Sequence, residues 1–133
     1  MKAKLLSVAA LVLVGTQMSA CGRGEVSFSA DVMPILEVAC LECHTSSGEG
    51  GAASGYTVDD YDSVMKGTEF GPVIVPGSSM SSNLYLVIAG KTAPEIRMPP
   101  HHEESWAEGR GTALGGEQIE LIARWIDQGA LNN

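Results

Sequence analysis

The sequence predicts an all-α domain in which a few short helices close on one large apolar group. Three observations predict it. The first is the run Cys40-Leu41-Glu42-Cys43-His44, which has the C-x-x-C-H pattern of c-type haem attachment. The second is a pair of apolar stripes at helical spacing. Val32, Ile35, Leu36 and Ala39 precede the motif, and Ile119, Ile122, Trp125 and Ile126 lie near the end. The third is an aromatic content of only 5% in 133 residues, which leaves a small core for a large apolar ligand to complete.

Each position of the motif has a chemical task. Two thiols spaced by three residues at a helix end face one porphyrin edge, where they add to the vinyl groups and become thioethers. His44 follows at once, so its imidazole can swing under the ring and bind iron from the proximal side. A redox dithiol or half a zinc site would also use such cysteines. The dithiol reading lacks a surrounding βαβ pattern, and the zinc reading lacks a second cysteine pair.

Residues 1–20 read as an export signal. Lys2 and Lys4 are followed by the apolar run Leu5 to Val14, which is too short for a stable membrane span. Ser19 and Ala20 precede Cys21, the order of a bacterial lipoprotein signal, although Met18 stands where leucine is usual. Lipidation of Cys21 would account for the third cysteine and leave no free thiol in an oxidising compartment. The expected location is therefore the periplasmic side of a bacterial membrane, held by a lipid anchor. Cleavage nearby without lipidation, giving a soluble periplasmic or secreted protein, is the alternative. Losing Lys2 and Lys4 takes the formal charge from −8 to about −10, which argues against nucleic acid and against anionic lipid surfaces. It permits a cationic redox partner, and a plain solvated acidic surface would look the same.

Along the chain, residues 21–28 read as a tether and 29–130 as one domain. Ser29 or Asp31 can cap a first helix running to about Cys40, with Pro34 in its first turn. Residues 45–56 are rich in Gly and Ser and read as loop. A short helix follows at about 59–66, capped by Asp59 or Asp60 and stopped by Gly67, with Val64 and Met65 facing inward. Val73 to Gly77 is extended and has no evident partner strand. Ser81 or Ser82 caps a helix from Leu84 to Ala89, stopped by Gly90. Residues 91–115 read as irregular. The last helix has Gly115 at its cap, a Leu114–Ile119 staple, Glu117 in the first turn and Gly129 at its end. Trp125 is expected to pack it against the first helix.

The iron needs a second axial ligand or an open site. Met33 shares the motif's own helix and cannot cross the ring, Met65 reads as core, and Met80 reads as loop. Met98 lies well past His44 and precedes Pro99 and Pro100, which bias it to an extended backbone and stiffen its loop. It is the favoured distal ligand. His101 and His102 compete, and either would give bis-histidine ligation with a lower potential. Arg97 is a candidate partner for a haem propionate.

The chain resembles class I c-type cytochromes, and more closely the cytochrome c-like domains of planctomycetes. The shared features are Pro34-Ile35-Leu36, Cys40 to His44, Pro76-Gly77 to Leu84, Met98-Pro99-Pro100 and Trp125-Ile126-Asp127-Gln128-Gly129-Ala130. The resemblance spans roughly 28–130. It implies a class I cytochrome c fold, with short helices wrapped on one covalent haem c and the terminal helices packed together. It carries over Cys40 and Cys43 as thioether sites, His44 as proximal ligand and Met98 as distal ligand. The departures are local: the stretch after Gly77 is one residue longer than usual, and His101 to Gly111 form a long insert before the last helix.

The function expected is a monohaem electron carrier with no enzymatic activity, docking transiently with redox partner proteins. Its rivals are a haem sensor or peroxidase-like protein with an open or His-ligated distal site, and an electron-transfer subunit of a larger membrane complex.

Overall fold

Ser27 decides where the chain becomes helical. Its hydroxyl accepts from the Ala30 N–H at 3.1 Å, and its own N–H donates to Asp31 Oδ2 at 2.9 Å. This reciprocal pair satisfies donors that a helix start leaves open. The computed structural model describes residues 24–100 and 113–133. The expected signal at 1–20, the lipidation site Cys21 and the competing ligands His101 and His102 lie outside the described residues.

A π-helical turn, Phe28–Val32, leads straight into α1, Met33–Ala39. Pro34 has no N–H to offer the Ala30 carbonyl, and the Met33 N–H bonds back to the Phe28 carbonyl. The helix therefore starts earlier than Ser29 or Asp31 would set it. The expected tether also ends sooner, because Val26 and Phe28 are buried in the core.

The remaining helices are α2, Glu49–Ser54, α3, Tyr61–Lys66, α4, Asn83–Ile88, and α5, Gly116–Asp127. Two single 3₁₀ turns, Ser79–Ser81 and Pro94–Ile96, complete them. Among the described residues the only bridge is an isolated Thr68–Gly71 pair. The fold is all-α, as the stripes predict. No helix among the described residues is long and apolar enough to cross a membrane.

α2 is a correction, since residues 45–56 read as loop. Glycine is a poor helix former, but here close approach requires it. A Cβ on Gly51 would run into the Thr45 carbonyl, and one on Gly50 would lie 2.8 Å from the His44 ring. The Gly50 and Gly51 N–H groups both donate to the Cys43 carbonyl, at 2.9 and 3.1 Å. Tertiary packing outweighs propensity at this point.

The other helix signals resolve more simply. Asp60 caps α3, accepting from the Ser63 N–H at 2.8 Å, and Gly67 ends it. Ser82 stands at the N-cap position of α4 but does not cap it. Its hydroxyl donates to the Ser78 carbonyl and accepts from the Val75 N–H, both at 2.8 Å, so it fastens the extended segment instead. Gln118 Oε1 accepts from the Gly115 N–H at 2.9 Å at the start of α5.

The core closes between the two ends of the chain. Trp125 is fully buried, and its ring lies 5.3 Å from that of Phe28, which meets Tyr61 edge-on at 5.1 Å. Trp125 Nε1 donates to the Leu131 carbonyl at 2.9 Å, and the Tyr61 hydroxyl donates to the Ala130 carbonyl at 2.8 Å. Burying an aromatic while satisfying its polar tip is the favourable arrangement. Val26 N–H donates to Gln128 Oε1 at 2.8 Å, and the Asn133 carbonyl accepts from the Ser29 N–H at 3.0 Å. The end of α5 also holds the middle of the chain. Gly77 N–H donates to the Ile126 carbonyl at 2.7 Å, as does Ser79 N–H to Asp127 Oδ1.

Candidate functional site

Cys40 is the residue on which α1 ends. Beyond it the chain turns tightly, with the Cys43 and His44 N–H groups both donating to the Cys40 carbonyl, at 3.2 and 2.9 Å. The turn and the helix end put the motif on one wall of a cavity of about 830 Å³, lined by Cys40, Cys43 and His44. Pockets for whole cofactors run to about 300–1,000 Å³. Leu36, Val58, Leu84 and Ile88 supply apolar walls.

His44 is oriented from behind. Its Nδ1 lies 3.1 Å from the Tyr56 carbonyl, and its own carbonyl accepts from the Val58 N–H at 2.9 Å. Nδ1 engaged by a carbonyl acts as the donor, which leaves Nε2 as the ring's available lone pair. The Tyr56 ring meets the imidazole edge-on at 5.5 Å. Gly50 on α2 closes the remaining side, where any larger residue would press on the ring. The motif does not reveal Tyr56 or Gly50 as supports. The available signals are a single aromatic in a stretch of small residues and two adjacent glycines followed by Ala52 and Ala53.

The thiol environment separates the readings of the motif. Burial, and then the neighbouring Cys43 charge, push the Cys40 thiol up to about 11. A redox dithiol needs the opposite, a lowered thiol in electropositive surroundings. Burial also raises the Tyr56 phenol, and the nearby Cys40 charge adds to it. No cluster of His, Cys, Asp and Glu fit to hold a metal ion by itself occurs among the described residues, so the zinc reading gains nothing.

Met98 lines the same cavity as the motif, on the chain that follows α4. Its N–H donates to the Val87 carbonyl at 3.2 Å. Its bond to Pro99 is cis, where the sequence reading specified only an extended residue. Among the described methionines only Met98 lines this cavity. Met33 borders a shallow pocket elsewhere, Met65 packs on the core, and Met80 is exposed on its 3₁₀ turn. Arg97 donates from Nε to the Thr92 carbonyl at 3.2 Å.

Residues 40–102 match the family model described as planctomycete cytochrome C. Over those residues, a little under half of its length, the chain is similar to the planctomycete-type cytochrome c-like domain. No curated protein and no solved structure matches the chain. The family implies covalently bound haem, and the residues present suit that group. Two thiols and an imidazole stand together on one wall of a largely apolar cavity, and Gly50 leaves the space the His44 ring needs. Over the matched stretch the chain therefore resembles a c-type cytochrome.

Proposed function

We propose that this chain is a c-type cytochrome that carries single electrons outside the cytoplasm through one haem c ligated by His44 and Met98, and performs no catalysis of its own. The observation that supports this best is the convergence of Cys40, Cys43, His44 and Met98 on one cavity. When bound, haem supplies one-electron chemistry at its iron, with a potential that a Met/His pair raises. Cys40 and Cys43 would hold the group permanently through thioethers. His44 would present Nε2, kept in that orientation by the Tyr56 carbonyl and Gly50. Met98 would present its sulfur from the α4 side. Leu36, Val58, Leu84 and Ile88 would pack apolar surface on the group, so little solvent would have to reorganise when charge arrives or leaves.

Export, lipidation at Cys21 and residence on the periplasmic side of a membrane belong to the same proposal. They rest on the sequence pattern of residues 1–21. Transient docking with redox partner proteins belongs to it as well.

The test is optical. The oxidised protein should show the weak long-wavelength band of thioether-to-iron ligation, and Met98→Ala should abolish it and lower the potential. A band that survives Met98→Ala overturns the assignment of Met98. Rapid carbon monoxide binding by the unaltered ferrous protein would favour an open-site sensor.

A further inference from the structure

The lip of the cavity carries apolar side chains where solvated ones would be expected. Val38 is 89% exposed, Phe70 88% and Ile96 55%, and all three line the cavity. They come from three separate parts of the chain: α1, the turn after α3, and the 3₁₀ turn Pro94–Ile96. Single exposed apolar residues are ordinary, but several around one opening mark an interaction surface.

Phe70 is held outward by a built device. The Thr68 N–H donates to the Gly71 carbonyl at 2.9 Å, and the Gly71 N–H returns the bond to the Thr68 carbonyl at 3.0 Å. The Phe70 N–H donates to Thr68 Oγ1 at 3.1 Å, and the Glu69 N–H to the Ser54 carbonyl of α2 at 3.0 Å. Gly71 adopts φ +126, a conformation open to glycine and strained for other residues. The tip is thus tied to the wall that holds His44, and the aromatic ring is presented at small entropic cost, as interface anchors are.

Among the described residues, the charged side chains that line the cavity are acidic. Each lip residue follows an exposed glutamate directly: Glu37 before Val38, Glu69 before Phe70, and Glu95 before Ile96. Glu42 and Glu49 line the cavity, and among the described residues no lysine or arginine does. An apolar centre with a charged rim is the anatomy of a docking patch, and the rim's sign selects the partner.

We infer that Val38, Phe70 and Ile96, ringed by Glu37, Glu69 and Glu95, form the docking face for a redox protein that presents lysines or arginines around an apolar patch. The inference rests on the proposed haem reading and adds the face and the sign of its partner. One electron leaves the ferrous chain and reduces the partner's centre, with no bond or proton transferred.

Stopped-flow oxidation of the reduced, haem-loaded full chain tests it, with two probes: an oxidised lysine-rich cytochrome c and an oxidised acidic blue-copper protein. At low salt the basic probe should react at least about tenfold faster, and added salt should erase that advantage. Glu37→Gln, Glu69→Gln and Glu95→Gln combined should slow the basic probe by about tenfold at low salt. Phe70→Ser should slow it several-fold at both low and high salt, by more than any accompanying shift in potential accounts for. Rates indifferent to the triple variant, or an acidic probe that reacts faster, would overturn the charge assignment and with it the face. So would a Phe70→Ser protein whose potential and spectrum move while its rates do not, because Phe70 would then only cover the haem. A red, redox-active protein with any of these results defeats the docking face alone, whereas a preparation without covalent pigment defeats the haem reading beneath it.

Discussion

The two walls that would supply axial ligands are built very differently. The His44 wall is fastened at many points. Cys40 caps a helix, the Cys43 carbonyl takes two N–H groups from α2, the Tyr56 carbonyl engages His44 Nδ1, and Gly50 abuts the ring. At Met98 the backbone bond among the described residues is the one from its N–H to the Val87 carbonyl. The contrast suits the chemistry. An imidazole binds iron strongly in both oxidation states, and its orientation sets its basicity, so the supports tune it. A thioether is a weaker ligand, and its wall has only to deliver sulfur within reach.

The sharpest way to break this contrast is to crowd α2. Gly51→Val pushes a side chain into the Thr45 carbonyl. It should destabilise the protein by about 3 kcal/mol, at the upper end for overpacking, as read by denaturant unfolding. An unchanged midpoint would show that the His44 wall is looser than its contacts imply. Met98→Ala should cost less stability, about 1–2 kcal/mol for a half-buried methionine, while its optical and potential changes are large. If Met98→Ala unfolds the protein more readily than Gly51→Val, the ranking of the two walls is reversed.

The smallest effect concerns Asp60, which starts α3 just beyond the His44 wall. The hydrogen bond from the Ser63 N–H is the main cause holding its carboxyl below its ordinary 3.8. A carboxyl lowered on folding stabilises the protein above its unfolded value, and that contribution fades as pH falls through the folded value. The difference in melting temperature between the protein and Asp60→Ala should therefore be small and constant at neutral pH and shrink below about pH 4. A gap that widens on acidification would show that the cap does not act through its charge.

How much of this was legible follows from the range of each cause. The C-x-x-C-H run, the glycine stops at Gly67 and Gly90 and the stripe through Ile122, Trp125 and Ile126 act between neighbours in the sequence, so they read directly. Met98 stood out among the methionines by its position and its two following prolines. α2 was illegible because glycine propensity argued against a helix that contact with Thr45 and Cys43 imposes. The start at Ser27 was missed because Phe28 owes its place to Trp125, far along the chain.

The sequence by itself determined the haem-binding motif, the helical class and the closing helix, since each depends on residue type and short spacing. Only the tertiary structure decided that Tyr56 and Gly50 would steady His44, that Met98 would share its cavity, and that Phe70 would stand at the lip. Those outcomes rest on contacts such as Val26 to Gln128, 102 residues apart. A local pattern carries no trace of contacts whose entropic cost is met only when the whole chain closes.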